Sequence, residues 1–247
     1  MIDMRDYQIE KEKRIEFIRN VVESAAADGI VFGNSGGKDS ALVGILCKMA
    51  CENTIGLIMP CGSKRNYEED KTDAEMLGEQ YGIDSRYVEL TDAKNAIASA
   101  IGAATQLSAA AASNLAPRIR MTALYAVAAS ENRLVAGTGN RSEVYMGYFT
   151  KWGDGAYDFN PISDLTVTEV YEFLRYLEAP DPIMEKAPSA GLFDGQTDES
   201  EMGITYSSID DYLLEGKVDD HDKAIIDKYH KSSEHKRKMP STYSSSG

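Results

Sequence analysis

Short apolar runs alternate with segments of helical periodicity along the first 140 residues. The runs are five or six residues long and have the length of buried strands. They lie at residues 29–33, 54–59, 85–90 and 133–137. The segments between them predict helices over residues 5–26, 39–51, 67–81, 93–104 and 115–131. Alternation of this kind indicates an α/β fold, a doubly wound parallel sheet with helices on both faces, as in Rossmann-like proteins.

Two of the predicted strands end in glycine, at Gly33 and Gly137. Ligands of open parallel sheets bind beyond the carboxyl ends of the strands. We therefore expect these two strands to be neighbours and a binding site to lie at their ends.

The second half of the chain has a different character. Residues 139–165 lack clear periodicity and predict a site-forming loop, whereas the capping box Thr166-x-x-Glu169 predicts a helix that runs to about residue 178. Residues 181–205 predict a second long irregular stretch, interpreted as a lid. A helix is predicted over 207–232 and a disordered tail from 241.

Composition and charge restrict the partners. The chain has 247 residues, 43% of them apolar, which suits one domain over residues 1–247. Its formal net charge of −14 disfavours binding to nucleic acid or to an anionic membrane surface, so small molecules are the expected ligands. An anionic substrate then needs local cations.

Cysteine and histidine usage argues against disulfides and zinc. The three cysteines, Cys47, Cys51 and Cys61, predict buried thiols, and three histidines are too few for a convincing Cys/His zinc cluster. Without an apolar run of the length that a membrane span needs, the expected location is the cytoplasm.

The strongest chemical signal is the glycine loop after the first strand. It comprises Gly33, Asn34, Ser35, Gly36, Gly37, Lys38, Asp39 and Ser40. A helix that starts beside such a loop presents backbone N–H groups to an anion, and phosphate is the natural guest. A Walker A loop is excluded because Phe32 and Asp39 occupy its required positions, and no G-x-G-x-x-G spacing exists. A tight turn without a ligand is the remaining alternative.

Ser35 to Ser40 match the Ser-Gly-Gly-x-Asp-Ser loop and resemble the ATP pyrophosphatases, which split ATP into AMP and pyrophosphate. That superfamily includes amide-forming synthetases and tRNA-modifying enzymes. The loop alone therefore does not identify the substrate.

Further motifs resemble one family within it, the ammonia-dependent NAD synthetases. They are Thr138 with Glu143, the run from Gly147 to Gly155, Asp158, Pro161, Pro188-Ser189, the run from Asp198 to Tyr206, and His235-Lys236-Arg237. The resemblance spans about residues 30 to 240. It implies an adenine nucleotide alpha-hydrolase-like fold without a glutaminase domain, a homodimer, and the conversion of deamido-NAD to NAD with ATP and ammonia through an acyl-adenylate.

The same resemblance implies roles for individual residues. Asp39 and Glu143 match Mg²⁺ ligands, and Thr138 and Ser189 join the glycine loop as ATP contacts. Asp154 is a candidate for the ammonia pocket. The residues that match deamido-NAD contacts are Arg118, Lys151, Asp158, His235 and Lys236.

Two positions depart from the family pattern. Val167 stands where the family often has a lysine that touches ATP, and Ser189 stands for a threonine. Either Lys186, Lys38 or another cation then covers the phosphate, or ATP binds more weakly. Two alternatives stay open, a tRNA-modifying ATP pyrophosphatase and a nucleotide-binding module without catalysis.

Overall fold

The computed structural model describes residues 5–62, 69–186 and 197–243. Four strands are described, β1 (Gly29–Gly33), β2 (Thr54–Ile58), β3 (Asp84–Tyr87) and β4 (Arg133–Ala136). The helices of the first half are α1 (Tyr7–Ser24), α2 (Lys38–Ala50), α3 (Glu69–Tyr81), α4 (Thr91–Gly102), α5 (Ala109–Ser113) and α6 (Leu115–Ser130). Those of the second half are α7 (Arg141–Met146), α8 (Val167–Tyr176), α9 (Asp181–Glu185), α10 (Asp198–Met202), α11 (Tyr206–Glu215), α12 (Asp220–Ser232) and α13 (Glu234–Arg237).

All four strands are parallel, in the order β3-β2-β1-β4. Strand β1 is central and pairs with β2 on one side and β4 on the other, with Val31 opposite both Ile55 and Val135. The α/β prediction is confirmed, and so is the prediction that the two glycine-terminated strands are neighbours.

Alternate side chains of the strands enter two separate cores, as the pleat of a strand requires. On one face of β1, Ile30 and Phe32 pack with α1, α2 and α8 in a first buried cluster. On the other face Val31 packs with α6 in a second cluster. Both faces of the sheet are therefore covered by helices.

A third cluster lies beyond the β4 edge and unites α7, α8, α11 and α12. Met146, Val167, Tyr206 and Ile226 are among its buried members. This helical layer forms one wall of the site described below.

Three predictions about the second half were wrong in detail. Residues 139–165 contain the helix α7, and the ends of the predicted irregular stretch 181–205 form α9 and α10. The single helix predicted over 207–232 is two helices, because the chain turns at Gly216, whose φ of +69° is a left-handed conformation that ends a helix. Residues 187–196 lie outside the described residues.

The structure also bears on the predictions about the cysteines and about a membrane span. All three cysteines are free, Cys47 and Cys61 are buried, and Cys51 is half-buried. Among the helices of the described residues, none has the length and apolar character needed to cross a membrane.

Helix α1 is fixed to the segment before α8 by the buried guanidinium of Arg14. It donates to both carboxylate oxygens of Asp164 at 2.7 and 2.9 Å, to Glu10 at 2.8 Å and to the carbonyl of Pro161. Burial raises the pKa of Asp164, but the hydrogen bonds and charge of Arg14 outweigh it, so the net pKa is lowered.

We predict that Arg14→Met lowers the free energy of unfolding by about 1–3 kcal/mol at neutral pH, since it removes the buried guanidinium and leaves Arg5 as the remaining ionic partner of Asp164 and Glu10 in the described structure. The exposed Arg19, which donates only to the carbonyls of Met49 and Ala50, provides the control Arg19→Met, with an expected loss below about 0.5 kcal/mol. Urea denaturation measures both.

The effect of Arg14→Met depends on pH with a defined sign. A carboxylate whose pKa is lowered in the folded state stabilises the protein above its unfolded pKa, and this contribution disappears as pH falls through the lowered value. The difference between wild type and Arg14→Met should therefore shrink as pH falls through the lowered pKa of Asp164. An equal difference at neutral and acid pH would contradict the assignment.

Candidate active site

A cavity of about 600 Å³ opens at the carboxyl ends of β1, β2 and β4. Its walls come from the glycine loop, α6, α7 and the C-terminal helices. The predicted site residues among its lining are Gly33, Asn34, Ser35, Gly37, Lys38, Asp39, Ser40, Thr138, Glu143, Asp154 and Lys236. The sheet thus brings together most of the residues predicted for ATP and metal binding.

The glycine loop is shaped by contacts behind it. Gly36 has φ +69°, and a Cβ placed there would lie 2.4 Å from the carbonyl oxygen of Asp70 in α3. The buried amide of Asn34 donates to the carbonyl of Ala74 in the same helix at 3.0 Å. Helix α3 therefore supports the back of the loop, and only a residue without a side chain fits at position 36.

The front of the loop faces the cavity with polar groups at the start of α2. The hydroxyls of Ser35 and Ser40 are 3.0 Å apart, and Ser40 donates to the carbonyl of Gly37 at 2.9 Å. Gly37 is the N-cap of α2 and lacks a side-chain cap. The N-terminus of a thirteen-residue helix therefore points its backbone donors toward the cavity, which is an environment suited to a phosphate group.

Two carboxylates from different strand ends meet beside this helix terminus. Asp39 is in the first turn of α2, and Glu143 is in the first turn of α7, where it forms a capping box with Asn140. The side-chain amide of Asn140 also donates to Asp39 at 3.0 Å. Asn140 therefore orients both acids, and its capping box explains why a helix forms within the predicted loop.

Lys38 compensates the charge of these two acids. Its ammonium lies 2.7 Å from a carboxylate oxygen of Asp39 and 4.0 Å from one of Glu143, and the residue is 6% exposed. Burial alone would lower the pKa of Lys38, but the two carboxylates outweigh it and raise the pKa. Burial raises the pKa of Glu143 well above that of an ordinary glutamate, and Asp39 raises it further. The local charge balance therefore favours an additional cation.

Two oxygen ligands are the protein contribution that Mg²⁺ usually receives when phosphate oxygens complete its coordination. Asp39 and Glu143 fit this donor set. Within the described ranges, no group of three or more histidine, cysteine or acidic side chains could hold a metal ion. The geometry thus suits a metal that arrives with a phosphate ligand.

The opposite end of the cavity carries a second set of charges, Asp154, Arg120 and Lys236. Asp154 accepts from the backbone N–H of Thr150 at 3.0 Å, and burial raises its pKa. Lys236 donates to the carbonyls of Gly147 and Phe149, both at 2.8 Å, and burial lowers its pKa. An acid and an amine therefore lie on the wall of one pocket.

Four of the residues predicted to bind deamido-NAD lie outside the cavity wall. Arg118 donates to the carbonyl of Lys151 at 3.3 Å, and Lys151 donates to the carbonyl of His235 at 2.6 Å. These three side chains belong to one group beside the cavity, here named the rim. Asp158 instead accepts from Tyr125 and from the backbone N–H of Val135. Its role in substrate binding stays a prediction, and Ser189 lies outside the described residues.

Several cavity residues had no predicted role or, like Lys186, which was expected as a possible source of charge, have contacts that the sequence did not predict. Arg120 donates to the carbonyl of Met59 at 3.0 Å. Lys186 forms ion pairs with Asp70 and Asp73, each at 2.7 Å. Asp198 is 3% exposed and lies in the motif from Asp198 to Tyr206. The sequence signal for Asp198 was present, whereas the long-range ion pairs of Lys186 have no local pattern.

Val167 does not line this cavity. It is 4% exposed and packs in the third cluster with Tyr206 and Met146. Lys38 and Lys186 are both on the cavity wall, so each remains a candidate for the missing charge.

Comparison with known proteins identifies the relatives of this chain. A model of the NAD synthase family matches residues 10–240. The chain is 45% identical over 238 residues to an NH(3)-dependent NAD(+) synthetase of Carboxydothermus hydrogenoformans, covering 95% of this chain and 97% of the relative. It is 44% identical over 236 residues to the one of Archaeoglobus fulgidus, covering 93% and 94%.

Solved structures agree in fold. An NMN synthetase from Francisella tularensis superimposes with a TM-score of 0.92 at 38% identity, covering 97% of this chain and 99% of the other. An NH3-dependent NAD synthetase from Campylobacter jejuni superimposes with a TM-score of 0.78 at 33% identity, covering 97% and 100%.

We predict that Gly36→Ala weakens the binding of inorganic pyrophosphate by at least about tenfold, because a left-handed alanine is strained and its Cβ would displace α3 from the loop. Isothermal calorimetry measures the affinity. Gly216→Ala is the control, since Gly216 also has φ +69° but has no heavy atom within 4 Å of the added Cβ. Equal pyrophosphate affinity in wild type and Gly36→Ala would show that the loop does not hold the anion.

Proposed function

The chain belongs to the NAD synthase family, and from this we propose that its cavity uses ATP and free ammonia to convert the nicotinate carboxylate of deamido-NAD into the carboxamide of NAD. The observation that carries the proposal is that the glycine loop, the acid pair Asp39 and Glu143, and the residues Asp154 and Lys236 line one cavity. The family match disfavours a tRNA-modifying enzyme.

The glycine loop is the proposed site for the pyrophosphate part of ATP. Backbone donors at the start of α2 and the hydroxyls of Ser35 and Ser40 face an anion there, and Thr138 lies on the same wall. Mg²⁺ held by Asp39 and Glu143 would neutralise charge on the departing pyrophosphate. These residues therefore favour cleavage of ATP next to its α-phosphorus.

The proposed reaction has two steps. An oxygen of the nicotinate carboxylate attacks the α-phosphorus of ATP, the bond to the bridging oxygen breaks, and pyrophosphate leaves. Ammonia then attacks the acyl carbon, AMP leaves with the carboxylate oxygen, and the nitrogen loses a proton. A carboxylate needs this activation because its own oxygen is a poor leaving group. The enzyme accelerates both steps mainly by holding the reactants together.

Asp154 and Lys236 are proposed to act at the acyl end. Asp154 lies on the cavity wall and accepts from the backbone N–H of Thr150, so its carboxylate is placed to attract ammonium and to accept a proton as ammonia forms. Lys236 is anchored by two backbone carbonyls and presents positive charge to the same pocket. The rim residues Arg118, Lys151 and His235 would then meet the parts of a dinucleotide that extend beyond the cavity.

One of the structural comparisons favours a second possible substrate in place of deamido-NAD. The NMN synthetase structure superimposes with a higher TM-score, 0.92, than the NAD synthetase structure, 0.78. The same chemistry on nicotinate mononucleotide would form NMN. A mononucleotide is shorter and would have less need of the rim, so the two acceptors differ in their dependence on Lys151.

A homodimer is also proposed. Helices α4 and α5 have no buried residue, although α4 carries Ile97 with 40% exposure and both helices are rich in alanine. Such surfaces are commonly covered by another chain, and a second copy is the simplest partner. We also propose that the protein acts in the cytoplasm, consistent with its three free cysteines.

Purified protein with Mg²⁺, ATP, deamido-NAD and ammonium should release AMP and form NAD, and replacing ammonium by glutamine should abolish turnover. Steady-state AMP release measures both. Absence of AMP release with ammonium would favour the nucleotide-binding module without catalysis. Repeating the assay with nicotinate mononucleotide decides the acceptor from the ratio of the two kcat/KM values.

In the same assay, Lys151→Met should raise KM for deamido-NAD by about five- to tenfold, as expected for the loss of a charge-assisted hydrogen bond. KM for the mononucleotide should change less. Lys217→Met, which removes an exposed lysine paired only with Glu215 in the described structure, is the control. If Lys151→Met raised KM equally for deamido-NAD and for the mononucleotide, the rim would not be the part of the site that recognises the longer substrate.

Ile97→Lys should shift the sedimentation coefficient from that of a dimer toward that of a monomer, because it places a charge on the proposed interface. Tyr87→Lys is the control on a different exposed surface, at the end of β3. A wild-type monomer at working concentration would contradict the proposed assembly.

A further inference from the structure

The ammonium of Lys38 lies beside the two acids that are proposed to bind the metal. It lies 2.7 Å from Asp39 and 4.0 Å from Glu143, the two acids proposed to hold Mg²⁺. On its other sides the rings of Tyr171 and Tyr206 lie 6.0 and 5.7 Å from the ammonium. Lys38 is therefore a buried cation whose ionic partners are the proposed metal ligands.

The oxygens of these two acids are already divided between fixed donors and Lys38. One oxygen of Asp39 accepts from the side chain of Asn140, and the other contacts Lys38. One oxygen of Glu143 accepts from the backbone N–H of Asn140, and the other faces Lys38. The oxygens most open to a metal are thus the two that face the ammonium, at 2.7 and 4.0 Å.

A divalent cation beside those oxygens would repel the ammonium strongly, because the site is buried and poorly screened by water. Lys38 would also lose its ionic partners, and a buried ammonium without partners is unfavourable. The cavity offers a replacement, since Lys38 lines it next to the phosphate-binding loop. An incoming phosphate oxygen can accept from the displaced ammonium.

We propose that Lys38 is an exchangeable counterion, which pairs with Asp39 and Glu143 in the nucleotide-free protein and moves to a phosphate oxygen when Mg²⁺ and ATP enter together. This inference rests on the proposed function only for the identity of the metal and the nucleotide. It makes metal binding and nucleotide binding mutually dependent. Lys38 then supplies near the phosphates the charge that Val167 lacks.

Lys186 contrasts with Lys38 in the same cavity. Its ammonium is held by Asp70 and Asp73, both at 2.7 Å, and neither acid is a proposed metal ligand. Metal binding at Asp39 and Glu143 therefore leaves the partners of Lys186 intact. It provides a matched control for the loss of one positive charge from the cavity.

The exchange predicts effects of opposite sign when Lys38 is neutralised. In nucleotide-free protein, Lys38→Gln should bind Mn²⁺ at least about tenfold more tightly than wild type, because a competing cation is gone. The same variant should bind α,β-methylene ATP with Mg²⁺ about tenfold more weakly, because a charge-assisted hydrogen bond to phosphate is lost. Electron paramagnetic resonance of free Mn²⁺ and calorimetry of the nucleotide measure the two affinities.

Lys186→Gln should change Mn²⁺ affinity by less than about threefold, since its ammonium is paired with Asp70 and Asp73 and with neither proposed metal ligand. If Lys186→Gln increased Mn²⁺ affinity as much as Lys38→Gln, the exchange would be overturned. The loss of any positive charge from the cavity would then explain the gain. Unchanged or weaker Mn²⁺ binding in Lys38→Gln would overturn it directly.

The proposal can still be tested if a Lys38 variant does not fold. If Lys38→Gln does not fold, Lys38→Met, which fills the space between the two tyrosine rings, carries the same measurement. If both variants fail to fold, the proposal requires Mn²⁺ to rescue their folding, and absence of rescue would contradict it. The Mn²⁺ measurement uses neither deamido-NAD nor ammonia, so a failed activity assay and a failed exchange are separate outcomes.

Discussion

Two buried carboxylates, Asp39 and Glu143, must share one corner of the molecule, and much of the site is arranged around their repulsion. They meet because β1 and β4 are parallel neighbours, so that α2 and α7 begin at the same edge of the sheet. Asn140 orients both acids, and Lys38 compensates their charge. The sheet topology therefore creates a preference for cations in a protein whose net charge is −14.

The strand pattern of the sequence predicted most of what positions this corner. Short apolar runs between helical segments located all four strands, and the glycines at 33 and 137 predicted that β1 and β4 are neighbours. The loop at 33–40 carried its chemistry in its composition. The family resemblance is confirmed by the comparisons, and it supplied the roles that spacing alone left open.

Other features depend on long-range packing and were not predictable from local patterns. Helix α7 is only six residues long, so no periodicity develops, although the spacing of Asn140 and Glu143 was a usable capping signal. The ion pairs of Lys186 join residues more than one hundred positions apart. The rim forms because the C-terminal helix α13 returns to the chain near Lys151, which a linear pattern does not show.

We propose that a carboxylate is activated in this cavity when the AMP group of ATP is transferred to its oxygen. The most direct measurement starts from deamido-NAD labelled with ¹⁸O in its nicotinate carboxylate and follows the label by mass spectrometry after one turnover. If the carboxylate is activated by adenylation, one labelled oxygen should appear in AMP and none in pyrophosphate. Unlabelled AMP, or label in pyrophosphate, would contradict it.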